Sequence, residues 1–174
     1  MKNEVNNQRS LFLSVCASLL MAAAVAGCGY QLRGSTPQSR VAFDSVYLET
    51  TSGTPLEREL RNAILAQTKL AADAKSAPVT LRILSEAQEK KILTLNAQGQ
   101  VREYNLLYRL RFEITDKDNK KLLPPNELAL QSFLSYSISQ ALPKELEEKI
   151  TFNDLRRDAV NQIMRQLARV KPEE

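Results

Sequence analysis

The sequence predicts an α+β domain in which two helices pack on one face of a four-stranded mixed sheet. Three observations carry that prediction. Residues 104–114 place an apolar or aromatic side chain at every second position, the period of a half-buried strand. Two stretches, 56–70 and 152–170, repeat apolar residues at helical spacing instead. The elements run strand, helix, three strands, helix. The first crossover should therefore be right-handed and its strands parallel. The later strands, joined by short turns, should be antiparallel. Two helices can then cover one sheet face.

Residues 41–50 form the first expected strand, with Val46 and Leu48 on one face, and Thr51-Ser52-Gly53 is a turn. Thr54 then caps a helix. Its hydroxyl can accept from the amide three residues on, Glu57 can reach back, and Pro55 suits the first helical position. Leu56, Leu60, Ala63, Ile64 and Leu70 make the apolar stripe, and the helix is expected to end near Ala72. Pro78 opens a second strand in which Val79, Leu81 and Ile83 alternate with Thr80 and Arg82. Residues 86–95, with Lys90-Lys91 before Ile92-Leu93, either continue this strand or bend away from it. Asn96 to Gln100, containing Gly99, is a turn.

The clearest strand follows. Tyr104, Leu106, Tyr108, Leu110, Phe112 and Ile114 form its core face; most residues between them are polar or charged. Residues 116–121 read as a charged loop, and Pro124-Pro125 argues against regular pairing there. A further strand is expected over about 127–138, with Leu128, Leu130, Leu134, Tyr136 and Ile138 on one face and Phe133 on the other. The final helix covers roughly 144–169, with room for a bend near Thr151. Phe152, Leu155, Ala159, Ile163, Leu167 and Val170 make its stripe, while Arg156, Arg157 and Arg165 are expected to face mostly away.

Ahead of this domain lies a leader. Lys2 and Arg9 give a basic start, an apolar run spans 11–26, and small residues close it at Val25-Ala26-Gly27-Cys28. The small residues run directly into a cysteine, which resembles the lipobox of bacterial lipoproteins. That class acylates the cysteine sulfur, removes the leader just before it and acylates the new amine. Two or more chains anchor stably where one does not. Residues 1–27 are thus expected to be a removed signal peptide, 28–40 a lipidated tether and 41–174 a single α+β domain. Gly29, rather than Asp, after Cys28 resembles the sorting signal for the outer membrane.

Composition narrows the chemistry. The chain carries no histidine, which removes Ser-His-Asp and Cys-His catalysis and histidine metal sites. Cys16 leaves with the leader and a lipidated Cys28 cannot pair, so no internal disulfide is expected. A net charge of +4, without long like-charge blocks, suits an anionic partner and makes nucleic acid a poor one. The acidic cluster Glu145, Glu147 and Glu148 falls in the first turn of a helix, where acids favour the dipole, and is better read as a solvated face than as an active site. No cofactor is expected.

Cys28-Gly29-Tyr30-Gln31-Leu32-Arg33 resembles the opening of the LptE family, lipoprotein partners of the outer-membrane lipopolysaccharide translocon. Pro55-Leu56 with Arg61-Asn62, Gly99-Gln100 before Glu103-Tyr104, Ala141-Leu142, and Gln166-Leu167 continue the likeness in the same order. The resemblance implies a non-catalytic protein, anchored through acyl chains on Cys28 at the periplasmic side of the outer membrane. It implies that the domain plugs and helps assemble the LptD barrel and binds lipopolysaccharide. A ligand-binding basic residue just before the family's last helix matches Lys144. A second, in the central hairpin, is replaced by Ala97, and Arg102, or Lys90 and Lys91, could supply the charge nearby. Lys144 and Arg102 are therefore the candidate lipopolysaccharide-binding residues. The competing reading is a lipid-anchored, periplasm-facing binding module that needs no barrel.

Overall fold

A computed structural model describes residues 41–136 and 141–171, with side chains placed outside 141–143. The expected signal peptide, Cys28, the tether to Arg40, and residues 137–140 at the end of the last expected strand lie outside the described residues. The described chain folds as β1 (Ser45–Glu49), α1 (Pro55–Leu65), β2 (Lys69–Leu70), β3 (Val79–Leu95), β4 (Val101–Asp116), β5 (Lys121–Ser135) and α2 (Ala141–Leu167). The sheet order is β2-β1-β3-β4-β5. β1 is parallel to both β2 and β3, and β3-β4-β5 is an antiparallel meander.

The mixed sheet has five strands, not the expected four. The additional strand, β2, lies in the stretch expected to finish the first helix. The helix stops at Leu65 because the following backbone finds better partners on the β1 segment. Thr68 Oγ1 donates to the Phe43 carbonyl at 2.7 Å, and the Ala71 amide donates to the Val46 carbonyl at 2.9 Å. Leu70 still packs against the core, but from a strand rather than a helical stripe. The helix start is as expected. Thr54 Oγ1 accepts from the Glu57 amide at 3.1 Å, and the Glu57 carboxylate reaches back to the Gly53 amide at 3.1 Å.

Residues 86–95 continue β3 without a break, with register shifts after Ile83 and after Ile92. β5 begins earlier than expected, at Lys121. Its Pro124-Pro125 pair stands opposite the single residue Glu113, between the pairs Phe112–Asn126 and Ile114–Leu123. This bulge on an edge strand accommodates prolines because no ladder hydrogen bond is required there.

The core forms between the sheet and the two helices. Leu106, Tyr108, Leu110, Phe112 and Ile114 of β4 are fully buried, as the alternation predicts. They meet Leu56, Leu60 and Ile64 of α1 and Leu155, Ala159, Ile163 and Leu167 of α2. Two charged residues expected at the surface, Glu113 and Arg156, are inside. Arg156 is buried, and its Nε donates to Glu59 Oε1 on α1 at 2.9 Å while its Nη2 donates to Asn153 Oδ1 at 2.8 Å. The opposite sheet face carries a cross-strand charge ladder in which Arg82 pairs with Glu49 and Glu113, and Glu113 also with Lys121.

β1 pairs with β3 only as far as Arg82. Beyond it, β3 is an edge among the described residues, and from Leu84 onward nearly every residue is exposed. Its bulges and the charges of Glu86, Glu89, Lys90 and Lys91 are features that discourage stray edge pairing. The strand's 17 residues extend about 55 Å, which carries the β3–β4 hairpin well past β1 and β2.

Candidate functional site

The distal ends of β3, β4 and β5 and the first turns of α2 form one structural unit. Tyr104 of β4 lies opposite Ile92 on one side and Leu134 on the other. Its ring packs edge-on against Tyr136, with centroids 5.3 Å apart and planes at 79°. Lys90 Nζ lies 4.2 Å from the Tyr104 ring centroid and 2.5 Å from Glu148 Oε2 on α2. One lysine thus ties the hairpin to the helix, with a cation–π contact on one side and an ion pair on the other.

The sequence-derived basic residues fall around this junction in different states. Lys144 stands early in α2, with its side chain only 17% exposed and its Nζ 2.6 Å from Glu147 Oε2. Arg102 is exposed next to the hairpin turn, and its carbonyl accepts from the Tyr136 amide at 2.7 Å. Lys91 pairs with Glu89 at 2.8 Å, and Glu89 also faces Arg109. The Lys91 hydrogen bond, followed by the Arg109 charge, holds the Glu89 carboxyl below its usual range. Of Lys90, Lys91, Arg102 and Lys144, Arg102 is the one without an anionic partner among the described residues. It is thereby the cation most available to an incoming anion. Arg102 is linked through Tyr136, Tyr104 and Lys90 to Glu148, which stands one helical turn after Lys144 on α2.

Apolar side chains surround these cations. Ile92, Leu93 and Leu95 of β3, Phe133 of β5, and Leu146 and Ile150 of α2 are all at least 47% exposed. The other large exposed apolar residues among those described are Leu65 and Leu84. Concentration at one end marks an interaction surface rather than random surface leucines. Phe133 lies opposite Asn105 and Ile92 opposite Tyr104, so the apolar residues emerge on both faces of the projecting hairpin. Leu146 and Ile150 fall within the expected last helix, and no local signal in the sequence marks them as exposed. Among the described residues no group of three or more His, Cys, Asp or Glu converges to hold a metal.

The lipopolysaccharide-assembly family model, LptE, matches residues 40–167, which span every element described above. The chain belongs to the LptE family. The LPS-assembly lipoprotein LptE of Pectobacterium atrosepticum is 26% identical over 145 residues, 82% of this chain and 77% of that protein. The Yersinia pestis LPS-assembly lipoprotein LptE is 27% identical over 159 residues, 88% of this chain and 75% of that one. Among solved structures, lipoprotein B of Nitrosomonas europaea superposes with a TM-score of 0.69 at 32% identity, covering 80% of this chain and 90% of that one. The rare lipoprotein B of Shewanella oneidensis shares the fold, with a TM-score of 0.64 at 22% identity over 71% of this chain and 93% of that one. LptE is a non-catalytic lipopolysaccharide-assembly lipoprotein family.

Proposed function

We propose that this LptE-family protein binds lipopolysaccharide at its distal end while plugging the barrel of LptD, whose assembly it assists, and that acylated Cys28 tethers it to the periplasmic side of the outer membrane. The family assignment supports the setting, a role in lipopolysaccharide transport at the outer membrane. The observation that carries the ligand assignment is the pairing of exposed apolar side chains with Arg102 and Lys144 at one end of the fold. Lipopolysaccharide presents phosphates and carboxylates beside acyl chains. Arg and Lys meet the anionic groups through charge-assisted hydrogen bonds. Ile92, Leu95, Phe133 and Leu146 offer the chains a surface. Lys144 enters that contact only by exchanging its Glu147 partner for a ligand oxygen.

Affinity purification from detergent-solubilised outer membranes should recover a large barrel protein with the domain; recovery of the lipoprotein alone would overturn the plug assignment. For the ligand, Lys144→Glu and Arg102→Glu should each weaken lipopolysaccharide binding by about tenfold, or 1.4 kcal/mol. Unchanged affinity in both variants would refute the site. Cys28→Ala should remove a lipid mass that the wild-type protein carries, and equal masses would refute the anchor.

A further inference from the structure

A second cleft opens at the opposite end of the sheet-and-helix layer, where β5 begins and α2 ends. It is an open groove of about 610 Å³ lined by Lys121, Leu122, Leu123, Asn126, Gln166, Arg169, Val170 and Lys171. α2 separates it from the distal site. The helix has 27 residues, about 40 Å at 1.5 Å per residue. We propose that this cleft binds the phosphate headgroup of a glycerophospholipid, with the start of one acyl chain on its apolar wall.

The lining has the required two-part chemistry. Lys121, Arg169 and Lys171 contribute three cations, and among the described residues no acidic one lines the cleft. Arg169 and Lys171 are exposed and have no anionic partner among the described residues. Lys121 shares only a 3.4 Å contact with Glu113, outside the lining, and its side chain is 55% exposed. Leu122, Leu123 and Val170 are half-buried against the core and form a fixed apolar wall. Asn126 Nδ2 donates to Gln166 Oε1 at 2.9 Å, joining the strand to the helix across the cleft. That bond leaves the Gln166 amide hydrogens and the Asn126 carbonyl oxygen to meet glycerol hydroxyls or ester oxygens.

A simpler explanation accounts for less. Basic residues near a helix C-terminus complement its dipole, which explains Arg169 and Lys171. It explains neither Lys121, which comes from β5, nor the leucines beside it. The dimensions of the cleft fit that ligand. A volume of 610 Å³ suits a small-molecule headgroup with a chain stub.

The test uses the full acylated lipoprotein in detergent, with binding read by native mass spectrometry. Short-chain dihexanoyl phosphatidylglycerol should bind at least tenfold more tightly than both dihexanoyl phosphatidylcholine and inorganic phosphate. Arg169→Glu combined with Lys171→Glu should lower that affinity at least tenfold, with the thermal unfolding midpoint unchanged to report an intact fold. Lys144→Glu should leave it unaltered. Equal binding of the two phospholipids would overturn the proposal, as would an unaffected double variant. Phosphate binding as tightly as the lipid would reduce the cleft to a bare anion site. Loss of binding in Lys144→Glu would place the ligand at the distal end instead. Failure of lipopolysaccharide binding at the distal site leaves these outcomes unaltered, so the two readings fail separately.

Discussion

Replacing Arg156 by Ala should be among the most damaging single changes to the polar part of this fold. The side chain crosses from α2 to Glu59 on α1, 97 residues away in sequence, and anchors Asn153 on its own helix. Breaking a fully buried pair by removing one partner costs about 3–5 kcal/mol, whereas an exposed pair is worth about 0–1 kcal/mol. Here the arginine is 9% exposed and the glutamate 32%. Glu59 Oε2 is already buried without a hydrogen-bond partner, so the truncation would leave both carboxylate oxygens poorly served. The expected cost lies between the limits, at about 2 kcal/mol. At an m-value of about 2 kcal/mol/M, the urea midpoint should fall by about 1 M. Far-UV circular dichroism of purified protein would follow it. A double-mutant cycle with Glu59→Ala isolates the pair, and a coupling of about 1–2 kcal/mol is expected. A midpoint shift below about 0.3 M, or a coupling near zero, would refute the view that this contact clamps the two helices.

Four smaller effects can be measured in the same assay. Tyr108→Phe removes a 2.7 Å hydrogen bond to Glu86, and burial, followed by that carboxylate, holds the Tyr108 hydroxyl above its ordinary pKa; the change should cost about 1 kcal/mol. Thr54→Ala removes the cap on the Glu57 amide and should cost about 1 kcal/mol. Gly99 has φ +77° in open space, so Gly99→Ala should cost about 1 kcal/mol from the backbone alone, and Gly99→Asn less. The Glu57 carboxyl is held below its usual range by Arg61 first and the Gly53 amide second. A folded pKa below the unfolded one makes its contribution full above the ordinary glutamate range and lost as pH falls through the folded value. Glu57→Gln should therefore lessen the loss of urea midpoint between neutrality and about pH 3; an unaltered pH dependence would exclude this clasp.

Much of the domain was legible because its signals are local. The alternation in residues 104–114 specifies a half-buried strand; its core side chains from Leu106 to Ile114 are buried, and Tyr104 is partly so. Thr54, Pro55 and Glu57 mark a helix start because an orphan amide needs an acceptor within one turn. Gly99 marks a turn because its positive φ is costly for other residues. The resemblance carried by short motifs from Cys28 to Leu167 pointed to the LptE family, to which the chain belongs.

The tertiary structure decided the features that depend on distant partners. Leu70 satisfies a helical period, but the Val46 carbonyl claims the neighbouring backbone and makes a fifth strand. Pro124-Pro125 resembles a break until Glu113 stands opposite as the single residue of a bulge. Arg156 resembles a surface charge until Glu59 arrives from the other helix. Lys90 and Arg102 are both cations in sequence; only the fold gives one a carboxylate and an aromatic ring and leaves the other without an anionic partner among the described residues. Sequence by itself determines what a residue offers over a turn or a strand pair, because those interactions lie within a few bonds of it. Which offers are taken up, and which apolar side chains remain uncovered, depends on what the folded chain brings from far away.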